Sequence, residues 1–463
     1  MLTDDDLLAI FDFCAAENRS LRQETEAWQT LVHVCRRWRC IVFESPRRLK
    51  LRLVCTSRTP ARYTLDVWPA LPLIVQCYDN RRHPIENVDN IVAVLERRER
   101  VCQIRLTGVE SSDLEKVSAA MQVPFPELTQ LELASFDEAV RVLPDSFLGG
   151  SAPRLQKLWL NGVPFPGLPK LLLSATDLTH LYVFNIPHSG YISPEAMVTA
   201  LSTLTSLEEF RLSFLSPQSC PDLTSRRLPP LTRSVLPVLT IFGFRGVCDY
   251  LDGLVARIDT PLLNKLSIAF LNQIVFDTPQ LIQFISRAPK LKPLEIARVI
   301  FDANAATVEL LSHTSSYADL EVKIMCEELD WQISFLEQFF TSCLPHISTL
   351  EDFHIYEGRL WKPDRQHNTI ENVLWLELLQ PFTTVKDFYI SQEFASRVVP
   401  ALQELTGGRA TEVLPTLQNI FLEELRSSGP VQEGIRQFVA TRQASHPIAV
   451  SRWNTGRTQE VDG

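Results

Sequence analysis

The chain has 463 residues, 45% of them apolar and 22% charged, with a formal net charge of −10. This is ordinary globular composition, and the acidic balance argues against nucleic acid as the main partner. No apolar stretch reaches the ~20 residues of a membrane span, and no apolar run follows a basic start. The chain is therefore expected in the cytoplasm or nucleus, with no membrane partner. Its ten cysteines are scattered without C-x-x-C spacing and are expected to be reduced thiols, not a disulfide framework or a zinc site.

In chain order, Leu7, Ile10, Phe11 and Cys14 fall at i, i+3, i+4 and i+7, one face of a helix. Thr3 and Asp4-Asp5-Asp6 offer a cap and negative charge to its first free N–H groups, which predicts a start near residue 4. Residues 15–27 are polar and read as loop or a frayed turn. Two apolar stripes at different angles follow, Trp28, Leu31, Val32 and Cys35, then Val34, Trp38, Ile41 and Val42. They predict two short helices, or one bent helix, with a change of direction at Val34-Cys35. Ser45-Pro46 ends the pattern. The basic run from Arg36 to Arg58 reads as a solvated face.

Leu2, Asp5, Leu7, Leu8, Ile10 and Phe11, followed by Leu31, Val34, Cys35, Trp38, Ile41 and Ser45-Pro46-Arg47, resemble an F-box. That motif binds the adaptor of Skp–cullin–F-box ubiquitin ligases. The run LVHVCRRWRCIVFESPRRL is especially similar to the F-box proteins expanded in mushroom-type fungi. Thr3 stands where an F-box usually has proline, and the insert between the helices is longer and more charged than is typical. The resemblance implies binding to a Skp-type adaptor and through it to a cullin. Leu2, Leu7, Leu8, Ile10, Phe11, Leu31, Val34, Cys35, Trp38 and Ile41 would form the adaptor face and its supporting core.

Residues 49–55 alternate like a strand, Trp68-Pro69 and Leu71-Pro72 read as loop, and Asp89 to Arg98 reads as a helix. A hexamer then recurs: apolar, two variable residues, apolar, one variable, apolar. It starts at Val101, Leu128, Leu155, Leu178, Leu207, Leu239, Leu263, Leu291, Leu350, Val385 and Leu417, with a degraded copy at Leu320, at spacings of 23 to 35 residues. A prolyl lead-in recurs, as in FPELTQLEL and LPTLQNIFL. This is the signature of leucine-rich repeats, short strands with an outer return segment, each unit burying one face on its neighbours. Asn161 stands where such repeats often place an asparagine to bond loop backbone. A capping helix is expected at Val431 to Thr441, and the polar tail from His446 is expected to be disordered.

The predicted fold class is thus α/β: a short N-terminal helical F-box, then an irregular leucine-rich-repeat solenoid with a curved parallel sheet inside and helices and loops outside. The predicted divisions are 1–48 for the helical module, 49–100 for a linker and cap, 101–428 for the repeats, and 429–463 for the final helix and tail. No phosphate-cradling loop, nucleophile elbow or metal-ligand spacing occurs, so no catalytic residue, metal or cofactor is expected. The third and fifth hexamer positions would face the concave side. They place Trp159, Tyr182, Arg211, His354, Tyr389 and Phe421 as candidate contacts to a target protein, aromatic and arginine anchors being typical of interfaces. The expected function is substrate recognition within a ubiquitin ligase. The alternative is a non-degradative scaffold or receptor whose first helices only cap the repeats.

Overall fold

The computed structural model describes residues 2–17, 27–46, 48–49, 51–78, 87–137, 141–220, 232–271, 278–291, 294–342, 349–361, 371–405, 409, 411–423, 429–442 and 447–453. The chain divides into two compact units. The first holds Met1–Ile192 and Thr199–Leu207, and the second Ser193–Val198 and Glu208–Gly463.

The first unit opens with three helices, α1 (Asp4–Glu17), α2 (Ala27–Val34) and α3 (Arg36–Glu44). Thr3 starts α1 through a reciprocal cap: its Oγ1 accepts from the Asp6 N–H at 3.2 Å, while the Asp6 carboxylate accepts from the Thr3 N–H at 2.8 Å. This is the capping-box arrangement, with Asp in place of Glu. The change of direction predicted at Val34-Cys35 is present. Cys35 is extended and its sulfur accepts from the Trp38 N–H, capping α3. Leu7, Leu8, Phe11, Val32, Ile41 and Val42 are buried. Phe11 meets Trp38 edge-on at 4.8 Å between ring centres. Arg37 ties α3 to the start of α1, bonding the Leu2 carbonyl at 2.8 Å and the Asp4 carboxylate at 2.6 Å.

Behind these helices runs a parallel sheet of β1 (Leu53–Cys55), β2 (Leu73–Tyr78), β3 (Val101–Thr107), β4 (Gln130–Ala134), β5 (Lys157–Asn161) and β6 (His180–Ile186), paired in sequence order. Helices α4 (Ala61–Val67), α5 (Val88–Leu95), α6 (Ser111–Ala120) and α7 (Leu168–Leu172) lie between strands in sequence. The repeat register holds. The first, fourth and sixth hexamer positions (Leu128, Leu131 and Leu133; Leu155, Leu158 and Leu160; Leu178, Leu181 and Val183) are all buried, and the residues between them are not. The sheet begins two strands before Val101: β1 falls within the strand expected at residues 49–55, and β2 lies where the sequence predicted only a linker and cap. Leu53 and Leu73 carry the apolar register there, but the Pro-rich lead-ins disguise it. Threonines at the strand entries clamp adjacent repeats: Thr129 Oγ1 donates to the Cys102 carbonyl and Thr179 Oγ1 to that of Gln156, each at 3.0 Å. Gly162, at the exit of β5, has a φ of +67°, and an added Cβ there would stand 2.3 Å from the Ser135 carbonyl oxygen. Only glycine fits this turn. Helix α8 (Pro194–Leu201) is shared between the two units.

The second unit contains β7 (Glu209–Phe214), β8 (Ser234–Val235), β9 (Ile241–Gly246), α9 (Cys248–Val255), β10 (Ile258–Asp259), β11 (Lys265–Leu271), α10 (Pro279–Arg287), β12 (Ile296–Asp302), β13 (Ala305–Leu311) and β14 (Leu320–Met325). It continues with α11 (Leu329–Ser342), β15 (Asp352–Glu357), α12 (Asn372–Leu379), β16 (Asp387–Ile390), α13 (Gln392–Gln403), β17 (Asn419–Leu422), α14 (Pro430–Arg442) and β18 (Ala449–Arg452). Its sheet runs β7-β9-β11-β14-β13-β12-β15-β16-β17-β18, and β8 and β10 form a separate parallel pair. All neighbours in the sheet are parallel except β13, which lies antiparallel between β12 and β14. The core is aromatic: Phe353 lies 4.1 Å from Phe382 and 5.6 Å from Phe388, and Phe301 4.7 Å from Phe394.

Two expectations change here. The strand predicted from Leu291 begins only at Ile296, and Leu291 ends a short 3₁₀ turn. That hexamer (LKPLEI) has proline at its third position, which has no ladder donor. The strand then continues through a tight turn at Ala303-Asn304 into β13, which no hexamer marks. Of the tail expected to be disordered from His446 to Gly463, residues 447–453 contain β18, with Asn419 opposite Ala449 and Leu422 opposite Arg452, and the remainder lies outside the described residues. Backbone bonds to a free strand edge order it, and those bonds leave no trace in side-chain pattern.

Candidate functional site

The described residues offer three surfaces for contact with other molecules. The first is the outer side of the N-terminal helices. Among the residues read as the adaptor face, Leu7, Leu8, Phe11 and Ile41 are buried, Leu31 and Trp38 are half-buried, and Leu2, Ile10, Val34 and Cys35 are exposed. The set thus separates into a core and a surface. Ile10 and Val34 are 42% and 59% exposed, and Phe13, which the sequence reading omitted, is 64% exposed. Phe13 lies three residues from Ile10, so both project from the same side of α1. Leu2 is tied to α3 through the Arg37 bond to its carbonyl. The opposite side of the module is attached to the sheet. Trp28 meets Trp68 at 5.4 Å and Phe43 at 6.2 Å, and its Nε1–H donates to the Arg52 carbonyl at 3.1 Å.

The second surface is the polar face of the first unit's sheet. Trp159 and Tyr182 are opposite one another across β5 and β6, and both are half-buried. Phe184, two residues further along β6, unites them: its ring stacks on Tyr182 at 6.0 Å and meets Trp159 edge-on at 6.3 Å. Phe184 lies beyond the end of the hexamer, although the strand's alternation continues to it. Below it Asn185, with a φ of 51°, donates to the Asn161 side-chain oxygen at 2.7 Å, a side-chain bond where Asn161 was expected to bond loop backbone.

The third surface is the polar face of the second unit's sheet. Arg211 stands apart from the rest, paired with Glu209 at 2.6 Å. An added Cβ on Gly243 would meet the Arg211 Cγ at 3.1 Å, so the arginine stem lies over the glycine. His354, Tyr389 and Phe421 occupy one register row of β15, β16 and β17 and form a ladder of stacked rings. Their centres are 4.1 Å apart for His354 and Tyr389, tilted by 3°, and 4.4 Å for Tyr389 and Phe421, tilted by 8°. Trp453 reaches back over the ladder, edge-on to His354 at 5.6 Å and to Tyr389 at 5.4 Å. Tyr356 borders the same indole at 6.5 Å. Nothing in the local sequence pattern pointed to Trp453.

The electrostatics make this ladder a neutral surface. Burial, with Arg298 nearby, pulls the His354 imidazole down to about 3, so it is uncharged near neutrality. Burial pushes the Tyr389 phenol up to about 12, helped by Asp352 and Asp387, and the Tyr356 phenol up to about 12, helped by Glu309. Asp352, opposite Asp387 in the next row, is raised by burial and then by that like charge. Glu309 is raised by burial and by Glu321, while Arg298 opposes the shift. Among the described residues no group of three or more His, Cys, Asp and Glu is placed to hold a metal ion. No helix among them is long and apolar enough to cross a membrane.

No protein-family model and no curated protein matches the chain. Among solved structures, the chain is similar to the leucine-rich repeat-containing protein LegL7 from Legionella pneumophila, at 14% identity and a TM-score of 0.28, over 73% of this chain and 90% of that one.

Proposed function

We propose that this chain is the substrate-recognition subunit of a Skp–cullin–F-box ubiquitin ligase. Helices α1–α3 would dock on a Skp-type adaptor, and the polar sheet faces would hold a target protein. The observation that carries this reading is the division of the N-terminal module. Leu7, Leu8, Phe11, Val32, Ile41 and Val42 supply its core, while Leu2, Ile10, Phe13 and Val34 remain exposed. Exposed apolar side chains grouped in one small module are characteristic of a partner site. Thr3, the departure from the usual F-box proline, supports the same helix start through its own cap. The chain would contribute positioning, raising the effective concentration of target lysines near a charged conjugating enzyme. Co-purification of the full chain with a Skp-type adaptor tests the reading, with Ile10→Ser/Phe13→Ser/Val34→Ser as the control. Stoichiometric binding that the triple variant loses is expected.

A second reading is favoured by the contacts of Trp28 and Phe43 with Trp68. Here the module only caps the repeats, and the chain is a scaffold or receptor. A folded full-length chain that binds no adaptor would select it.

A further inference from the structure

The ring ladder of the second unit is occupied, and its occupant is part of the same chain. Strand β18 joins the edge of β17 through main-chain bonds: the Ala449 N–H donates to the Gln418 carbonyl at 2.8 Å and the Trp453 N–H to the Leu422 carbonyl at 2.7 Å. Ala449, Val450, Ser451 and Arg452 are all exposed. Side-chain burial in this segment is limited to Ile448 at one end and the half-buried Trp453 at the other. A strand held by its backbone, with two anchors five residues apart, is the geometry of peptide recognition by strand addition.

We propose that residues 447–453 are a built-in stand-in for a partner's peptide. In this view the β17 edge and the His354–Tyr389–Phe421 ladder form a docking site for an extended segment. That segment adds parallel to β17 and places an aliphatic residue where Ile448 lies and an aromatic one, five positions later, where Trp453 lies. The proposal deepens the target-binding half of the function given above and is independent of adaptor docking. The preceding helix does not depend on the stand-in. Ile435 and Phe438 of α14 are buried, and its Arg442 donates to the Val413 and Leu414 carbonyls at 2.8 and 2.9 Å. Detachment of 447–453 therefore leaves the end of the repeat array covered. A segment with so little buried apolar contact belongs to the low-stability end of a fold and can exchange with a competitor.

The test uses the full chain carrying Ala449→Pro and Trp453→Ala, which remove one backbone donor and the aromatic anchor. The probe is a labelled peptide of residues 446–456, followed by fluorescence anisotropy. The variant should bind the peptide about tenfold or more tightly than the unaltered chain, and a peptide with alanine in the Trp453 position should not bind. Equal binding by both chains, or none by a variant with an unchanged melting curve, overturns the proposal. Hydrogen exchange on the unaltered chain gives a second measurement should the variant not fold. Faster exchange at Ala449 and Trp453 than at Asn419 supports detachment, and equal rates overturn it. Concentration-dependent dimerisation of the unaltered chain would mean that a second copy's tail takes the site, which also overturns it. A chain that binds no adaptor can still pass every arm.

Discussion

The substitution Phe13→Ala separates the surface of the N-terminal module from its core. Phe13 is 64% exposed, so little of its ring contributes to the fold. A wholly buried aromatic side chain removes about 150–250 Å² from water, and the exposed share of Phe13 leaves roughly 100–150 Å² for a partner to cover. At about 25 cal/mol per Å² this is worth roughly 3 kcal/mol, or about a hundredfold in Kd. An exposed substitution should alter folding stability by no more than about 0.5 kcal/mol. Titration calorimetry of the full chain with a Skp-type adaptor, with thermal melting alongside, reads both quantities. The contrasting variant is Phe11→Ala. Phe11 is fully buried against Trp38, and its truncation should cost about 3–5 kcal/mol. Trp38 itself is half-buried and should lose less on truncation than a fully packed tryptophan. Adaptor affinity unchanged in a folded Phe13→Ala protein would refute the assignment of this surface. A large drop in its melting temperature would refute the division into core and surface.

Three further outcomes follow from the same structure. His354 takes no proton in the fold until about pH 3, whereas an ordinary imidazole does so near 6.5. Its contribution to stability is therefore complete above about 6.5 and is lost as pH falls towards 3, at no more than about 1.4 kcal/mol per pH unit. Asp352 and Glu309, both raised, act oppositely and favour the fold as pH falls into the range just above ordinary carboxylates. Denaturant titrations of the native chain and of His354→Phe should differ most between pH 3 and 6. At Gly162, alanine should cost about 1–3 kcal/mol through backbone strain, measured as a lower denaturation midpoint. Cys35 and Cys40 are exposed, whereas burial raises Cys55 to about 11 and Cys220 to about 12. Among the described cysteines, iodoacetamide labelling read by mass spectrometry should therefore reach Cys35 and Cys40 first; prior labelling of Cys55 or Cys220 would contradict their burial.

The sequence alone determined the register of the repeated strands. In Leu128, Leu131 and Leu133, and in the other copies except those at Leu291 and Leu320, the spacing of apolar residues states which side chains face the core, because strand alternation is a local property. The copy at Leu320 buries Val322 and Ile324 instead of its fourth and sixth positions. It also determined the start of α1 and the bend at Cys35, both matters of capping and helical period. The threonine clamps recur as Thr240 to the Glu208 carbonyl and Thr384 to that of Leu350. They were present in the letters but carry no pattern until neighbouring strands are paired. Only the tertiary structure decided the rest. The antiparallel β13 is buried at nearly every position, where β12 and β14 alternate, and its direction depends on the turn at Ala303-Asn304. The exposure of Phe13 and the burial of Phe11 depend on what α1 packs against. His354, Tyr389 and Phe421 became one ladder because successive strands stack them in register, and the face is covered because Trp453, some 30 residues beyond Phe421, returns to it through backbone bonds. Main-chain hydrogen bonds at a sheet edge are nearly indifferent to side-chain identity, so no reading of residue types could place that strand.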